Sequence, residues 1–90
     1  MKAVQMTDYG GPEVLVYRDA TDPVPGPGDV VVDVHAASVN PVDWKIRQGG
    51  HRASSEITMP HILGVDFSGV VRTVGVGVEG FSPKDEVFGV

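Results

Sequence analysis

The segment Val30–Gln48, VVVDVHAASVNPVDWKIRQ, decides the fold, because it contains the clearest strand of the chain followed directly by its clearest helix. The strand is predicted over Val30–Val39. Apolar residues occupy every second position from Val30 to Ala36, whereas Asp33 and His35 fall on the opposite side. A strand with one apolar and one polar face is typical of an antiparallel sheet.

The helix is predicted from Pro41 to about Gln48. Asn40 is a preferred N-cap residue, and proline suits the first helical position. Asp43 lies in the first turn, where the helix dipole favours a carboxylate. The pair Gly49–Gly50 supplies the stop signal.

Short β-rich segments separated by turn residues extend outward from this centre. The 12 glycines and 7 prolines among 90 residues indicate many turns and few long helices. Further strands are predicted at Ala3–Met6, Val14–Arg18, Ile62–Val78 (one long strand or a bent pair) and Glu86–Val90, with turns at Tyr9–Glu13 and Phe81–Asp85, an extended connection at Asp22–Asp29 and a loop at 51–58. Five or six strands and one short helix predict a single mainly β domain over residues 1–90, built as a small, partly open β-barrel.

Composition excludes several classes of function. The net charge is −5 and no cluster of Lys and Arg is present, so the chain lacks the footprint of a nucleic-acid-binding protein. The absence of cysteine excludes disulfides, thiolate nucleophiles and Cys-ligated metal sites. No apolar run approaches the roughly 20 residues of a membrane span, and Met1–Met6 does not resemble a signal peptide. A cytoplasmic protein that binds neither nucleic acid nor membranes is therefore expected.

Candidate functional residues gather around the predicted helix. Asn40 and Asp43 could lie in a cleft and contact a ribose or a substrate carbonyl, although helix capping explains both residues. Lys45 could donate to a phosphate or an enolate oxygen, or could simply be solvated. Trp44 could line the site of a flat aromatic substrate, although packing in a thin core is the simpler interpretation. Asp66, in an apolar segment, could orient a catalytic group or hold the fold through a backbone hydrogen bond.

The histidines and glycines indicate no metal or phosphate site. His35, His51 and His61 share no metal-ligand spacing, so no zinc site is predicted. His51, in a polar loop, is the best candidate among them for a cleft contact. The segment Gly75–Gly80 matches G-x-G-x-x-G, but Pro83 follows closely and no helix can open there, which argues against a dinucleotide fingerprint.

Several motifs, in order along the chain, carry a resemblance to a known family. They are Met1–Val4 (MKAV), Gly10–Leu15 (GGPEVL), Asn40–Arg47 (NPVDWKIR), Pro60–Val71 (PHILGVDFSGVV) and Asp85–Gly89 (DEVFG). The chain resembles the N-terminal, GroES-like domain of the medium-chain dehydrogenase/reductase superfamily and, more narrowly, its zinc-independent quinone oxidoreductase branch. The match extends over essentially all 90 residues.

Departures from the zinc alcohol dehydrogenases point to the same branch. Asn40 stands where those enzymes have a Cys ligand, Val65 replaces the His of their Gly-His-Glu motif, and their four-cysteine structural lobe is absent. The resemblance therefore implies no zinc. Lys84 stands where the family usually has glycine before the final Asp, which predicts an altered turn.

In the zinc-free branch, hydride passes from NADPH to a quinone or enone, and the cofactor carries the chemistry. The resemblance implies that Asn40 lies near the nicotinamide ribose and that Lys45 and His51 line the substrate cleft. It gives Asp43 and Asp66 architectural roles near that cleft.

Three functions remain open at this point. The first is the substrate-side domain of a longer NADPH-dependent oxidoreductase, inactive without a Rossmann domain of the same protein, with a homodimer possible for the longer chain. The second is a stand-alone GroES-like module that binds a partner protein. The third, a hydrolase or lyase using Asp43 or Asp66, has no nucleophile–base pair to support it.

Overall fold

The computed structural model describes residues 1–50 and 57–90, so the candidate cleft residue His51 lies outside the described residues. The elements in chain order are β1 (Lys2–Met6), a 3₁₀ helix (Pro12–Val14), β2 (Leu15–Asp19), β3 (Val30–Ala37), α1 (Pro41–Arg47), β4 (Phe67–Val74) and β5 (Glu86–Gly89). The predicted fold class, mainly β with one short helix, is confirmed. Neither of the two sheets within the described ranges closes on itself into a barrel.

The first of two compact units comprises Met1–Thr21 and Val39–Gly64. Its sheet is the antiparallel pair β1–β2, in which Lys2 lies opposite Asp19. The buried end of β1 is Met6, which is fully excluded from solvent. The Met6 N–H donates to the His61 carbonyl at 2.7 Å, and the His61 N–H donates back at 3.0 Å. These two bonds attach the segment after α1 to the edge of the hairpin.

The second unit, Asp22–Ser38 with Val65–Val90, contains the antiparallel sheet β3–β4–β5. Its core is formed by Val31 and Val71, which expose 7% and 2% of their surface. The predicted alternation along β3 is wrong in part, because the pairing with β4 shifts register twice, after Val31 and again before Ala36. Each bulge changes which face the following residues occupy, and Val34 is consequently exposed.

The long strand predicted over Ile62–Val78 is also wrong, because only Phe67–Val74 forms a strand. Near the start of the predicted range, Gly64 has a φ of +125°, which is outside the range of an extended strand. At its end, the Gly75 N–H turns away to donate to the Asp29 carbonyl at 2.7 Å. A side chain on Gly75 would collide with a carbonyl of the proline-rich connection, so glycine is required there.

Candidate functional site

The N-terminal end of α1 is built by Asn40 and Asp43. Asn40 is extended, with φ −121° and ψ 160°, and its N–H donates to Asp43 Oδ2 at 2.8 Å. In return, the Asp43 N–H donates to the Asn40 carbonyl at 2.9 Å. The capping interpretation of Asp43 is therefore confirmed, and both backbone polar groups of Asn40 are held by one residue.

Asp43 is the buried charged residue of the described part of the chain, with 6% of its surface exposed. Its Oδ1 is excluded from solvent and has no hydrogen-bond partner among the described residues. A buried carboxylate oxygen without a donor costs free energy, because it has lost its hydration without replacement. The residue that fixes Asn40 therefore has a stability cost of its own.

The C-terminal end of α1 is held by the loop after β1, a contact that sequence reasoning missed. The Gly10 N–H donates to the Arg47 carbonyl at 2.8 Å, and Arg47 Nε donates to the Gly10 carbonyl at 3.1 Å. The only local signal was a pair of glycines able to bring the backbone close to a partner. The predicted helix stop is confirmed, since Gly49 has a φ of +91° and its N–H donates to the Ile46 carbonyl.

Trp44 and Lys45 lie between these two fixed ends. Trp44 exposes 45% of its surface, so the expectation that it packs in the core is wrong. Lys45 is exposed, and its Nζ lies 5.7 Å from the centroid of the Trp44 ring, within the range of a cation–π contact. The predicted site residues Asn40, Asp43 and Lys45 thus share one seven-residue helix and its cap with Trp44.

Asp66 belongs to the other unit and has a structural contact. Its Oδ2 accepts a hydrogen bond from Ser38 Oγ at 2.6 Å, which connects the segment after β3 to the residue before β4. A hydrogen bond, as expected for this half-buried carboxylate, is therefore present, and the Ser38 hydroxyl is one of its donors.

An open depression of about 460 Å³ lies on the sheet β3–β4–β5, and none of the predicted site residues lines it. Its polar lining comes from His35, Ser68 and Glu86, and its exposed apolar wall is Phe88.

Within residues 1–50 and 57–90, no three His, Asp or Glu side chains are grouped as a metal site would require. No helix in the described ranges is both long and apolar enough to cross a membrane.

Comparison with known proteins identifies the family to which this fold belongs. Residues 26–90 match the alcohol dehydrogenase GroES-like domain, and the chain belongs to that family. Its relatives include the quinone oxidoreductase of Sus scrofa, 40% identical over 91 residues that cover all of this chain and 27% of the relative. The human quinone oxidoreductase is 40% identical over 89 residues, which cover 98% of this chain and 26% of that protein. The chain thus spans about a quarter of the length of the curated relatives it matches.

Solved structures give the same result. A crystal structure of an NAD-dependent alcohol dehydrogenase is 51% identical, with a TM-score of 0.87 over 98% of this chain and 25% of that chain. The Escherichia coli quinone oxidoreductase, crystallised with NADPH, is 30% identical, with a TM-score of 0.86 over 98% of this chain and 26% of that chain. The resemblance to the GroES-like domain of quinone oxidoreductases is therefore confirmed.

Proposed function

We propose that the chain is the substrate-side domain of an NADPH-dependent oxidoreductase that reduces quinones or enones by hydride transfer. One observation carries the proposal: all 90 residues align with a quinone oxidoreductase at 40% identity. The relative crystallised with NADPH supports a nicotinamide dinucleotide as the reductant. We further propose that the full-length enzyme is cytoplasmic and can form a homodimer.

The residues of this chain fit the nicotinamide end of such a cofactor but not its pyrophosphate. Asn40 carries a side-chain amide, a group of the kind that hydrogen-bonds ribose hydroxyls, and Asp43 holds its backbone in place. Among the described residues, α1 begins at Asn40–Pro41 rather than at a glycine-rich turn, the Gly10–Gly11 turn opens only a three-residue 3₁₀ helix, and Gly75–Gly80 leads into β5. We therefore assign the pyrophosphate to a Rossmann domain of the same protein.

In this scheme the bound dinucleotide supplies the hydride, and this chain orients the acceptor. Lys45 is exposed and carries an ammonium group that can donate a hydrogen bond to a carbonyl oxygen of the acceptor. A donor at that oxygen stabilises the negative charge that develops as the carbonyl compound is reduced. By resemblance, His51 belongs to the proposed cleft, and Asp43 and Asp66 each have an architectural role in their own unit.

We further propose that the reaction does not use zinc, on the basis of the donor set. An amide at Asn40 and an alkyl side chain at Val65 replace the thiolate and imidazole that zinc prefers, and the chain contains no cysteine. We expect the native protein to keep its full activity after dialysis against a strong chelator. Loss of activity that zinc alone restores would contradict this part of the proposal.

The second candidate is a stand-alone interaction module, and it is favoured by an exposed aromatic residue of β5. Phe88 exposes 87% of its surface. Apolar surface of this kind can bind a partner protein.

The third function, a hydrolase or lyase, is favoured by no observation. Asp43 caps α1, and Asp66 accepts a hydrogen bond from Ser38.

The deciding experiment is a turnover assay on the protein purified from its source cells. The decrease of reduced nicotinamide absorbance is followed with naphthoquinone or cyclohexenone as acceptor, for NADPH and NADH separately. Quinone-dependent oxidation of NADPH supports the enzyme. No turnover with either dinucleotide and either acceptor, in a protein shown to be folded, would overturn it.

A further inference from the structure

The exposure of Trp44 is unexpected in a helix that is held at both ends. Asp43 fixes the first turn through its hydrogen bonds with Asn40, and Gly10 fixes the last turn through two hydrogen bonds with Arg47. The exposed indole therefore stands on a supported helix rather than at a fraying end. A large aromatic side chain left 45% exposed on such a helix offers a flat surface for contact.

The chemistry of that surface is set by Lys45. Its ammonium lies over the Trp44 ring, 5.7 Å from the centroid, so one face of the electron-rich indole carries a positive charge and the opposite face is the one that a flat ligand would stack on. Because the whole chain has a net charge of −5, this lysine is a local positive point on an acidic protein. A matching ligand combines a flat, electron-poor ring with an electron-rich oxygen at its edge.

We propose that Trp44 is a specificity-determining residue, whose indole stacks on a flat conjugated acceptor while Lys45 donates a hydrogen bond to the carbonyl oxygen at the edge of that acceptor. The inference rests on the proposed function and narrows its substrate class to planar quinones over non-planar enones. Stacking favours a planar ring because a puckered ring contacts the indole over a smaller area. The ammonium favours a carbonyl oxygen because the donor is charged.

The direct test uses fluorescence, because Trp44 is the only tryptophan of the 90 residues. The native protein and its Trp44→Phe variant are titrated with naphthoquinone in the absence of nicotinamide. The difference between the two titrations isolates the indole of Trp44. We expect this difference to saturate, as binding requires, and cyclohexenone to produce much less quenching. A difference that rises linearly with concentration, as for random collisions, would overturn the proposal.

Kinetics provide a second measurement on the same variants. We expect Trp44→Leu to raise the KM for naphthoquinone about threefold to tenfold, the range that an aromatic pair contributes beyond its buried area. The KM for NADPH and for cyclohexenone stays within about twofold, and Trp44→Phe gives an intermediate result. We expect Lys45→Met to raise the KM for naphthoquinone as well. Lys45→Arg, which keeps a positively charged donor, should raise this KM much less.

Tyr17 supplies a matched control, because it is an exposed aromatic residue of β2 in the same unit, with 70% of its surface accessible. We expect Tyr17→Leu to leave the KM for naphthoquinone unchanged. If Trp44→Leu and the unmodified protein have the same KM for naphthoquinone, the inference about Trp44 is overturned, but the proposed oxidoreductase function still stands. If the unmodified protein oxidises no NADPH, the proposed function fails, whereas the quenching titration still decides whether Trp44 binds a planar quinone.

Discussion

At the scale of single residues, Asp43 combines a stabilising contact with a cost. Its Oδ2 accepts the Asn40 N–H, while its buried Oδ1 has no partner among the described residues. We expect Asp43→Ala to lower the free energy of unfolding by about 1 kcal/mol, the usual effect of losing a cap. Asp43→Asn should change it little, because the amide oxygen still accepts from Asn40 and no charge remains buried.

Urea denaturation of the native protein measures both variants, with Glu79→Ala, an exposed carboxylate, as the control for loss of charge. An Asp43→Asn variant as unstable as Asp43→Ala would show that the charge itself, rather than the acceptor, holds the helix start.

Lys84 is a second residue whose conformation leads to a prediction. It has a φ of +78°, in the left-handed region that favours glycine, and its N–H donates to the Val71 carbonyl at 2.8 Å. Positive φ costs an L-residue about 1–2 kcal/mol, and glycine loses about 0.5–1 kcal/mol through its freedom in the unfolded chain. We expect Lys84→Gly to raise the urea midpoint slightly and Lys84→Ala not to raise it. Equal midpoints for the two variants would contradict this account.

At the scale of elements, the pairing of β3 with β4 depends on Gly69. A Cβ at this position would collide with the Asp33 carbonyl of the neighbouring strand. We expect Gly69→Ala to lower the free energy of unfolding by about 1–3 kcal/mol, as overpacking does. Gly77→Ala is the comparison, because Gly77 has a φ of +82° but open space around it. If Gly69→Ala destabilises no more than Gly77→Ala, the close contact with the Asp33 carbonyl does not determine the need for glycine at position 69.

The elements also show what the sequence could predict. The start of α1 at Pro41 was predictable, because capping signals are local. The true start of β4 at Phe67 was not, because the segment before it is held by the contact of Asp66 with Ser38, 28 residues away. Among site residues, the role of Asp43 followed from helix physics. The exposure of Trp44 did not, because the burial of a side chain depends on which elements pack against it.

At the scale of the whole molecule, the core of the described residues is small for an enzyme. Its buried hydrophobic residues are Met6, Val31 and Val71. A domain of this size buries a modest share of its surface on folding, while the relatives it matches are about four times as long. A catalytic centre for two substrates requires more enclosing structure than this chain supplies.

We therefore expect the protein in its source cells to have an intact mass several times the 9.5 kDa of this chain. We expect the 90-residue chain, expressed alone and shown to be folded by its near-ultraviolet circular dichroism, to leave NADPH unoxidised in the presence of naphthoquinone. Both results follow from the proposed function, because residues 1–50 and 57–90 offer no glycine-rich turn into an α-helix for the pyrophosphate of a dinucleotide. A native mass near 9.5 kDa would instead favour the interaction module, with Phe88 as the first position to test by substitution.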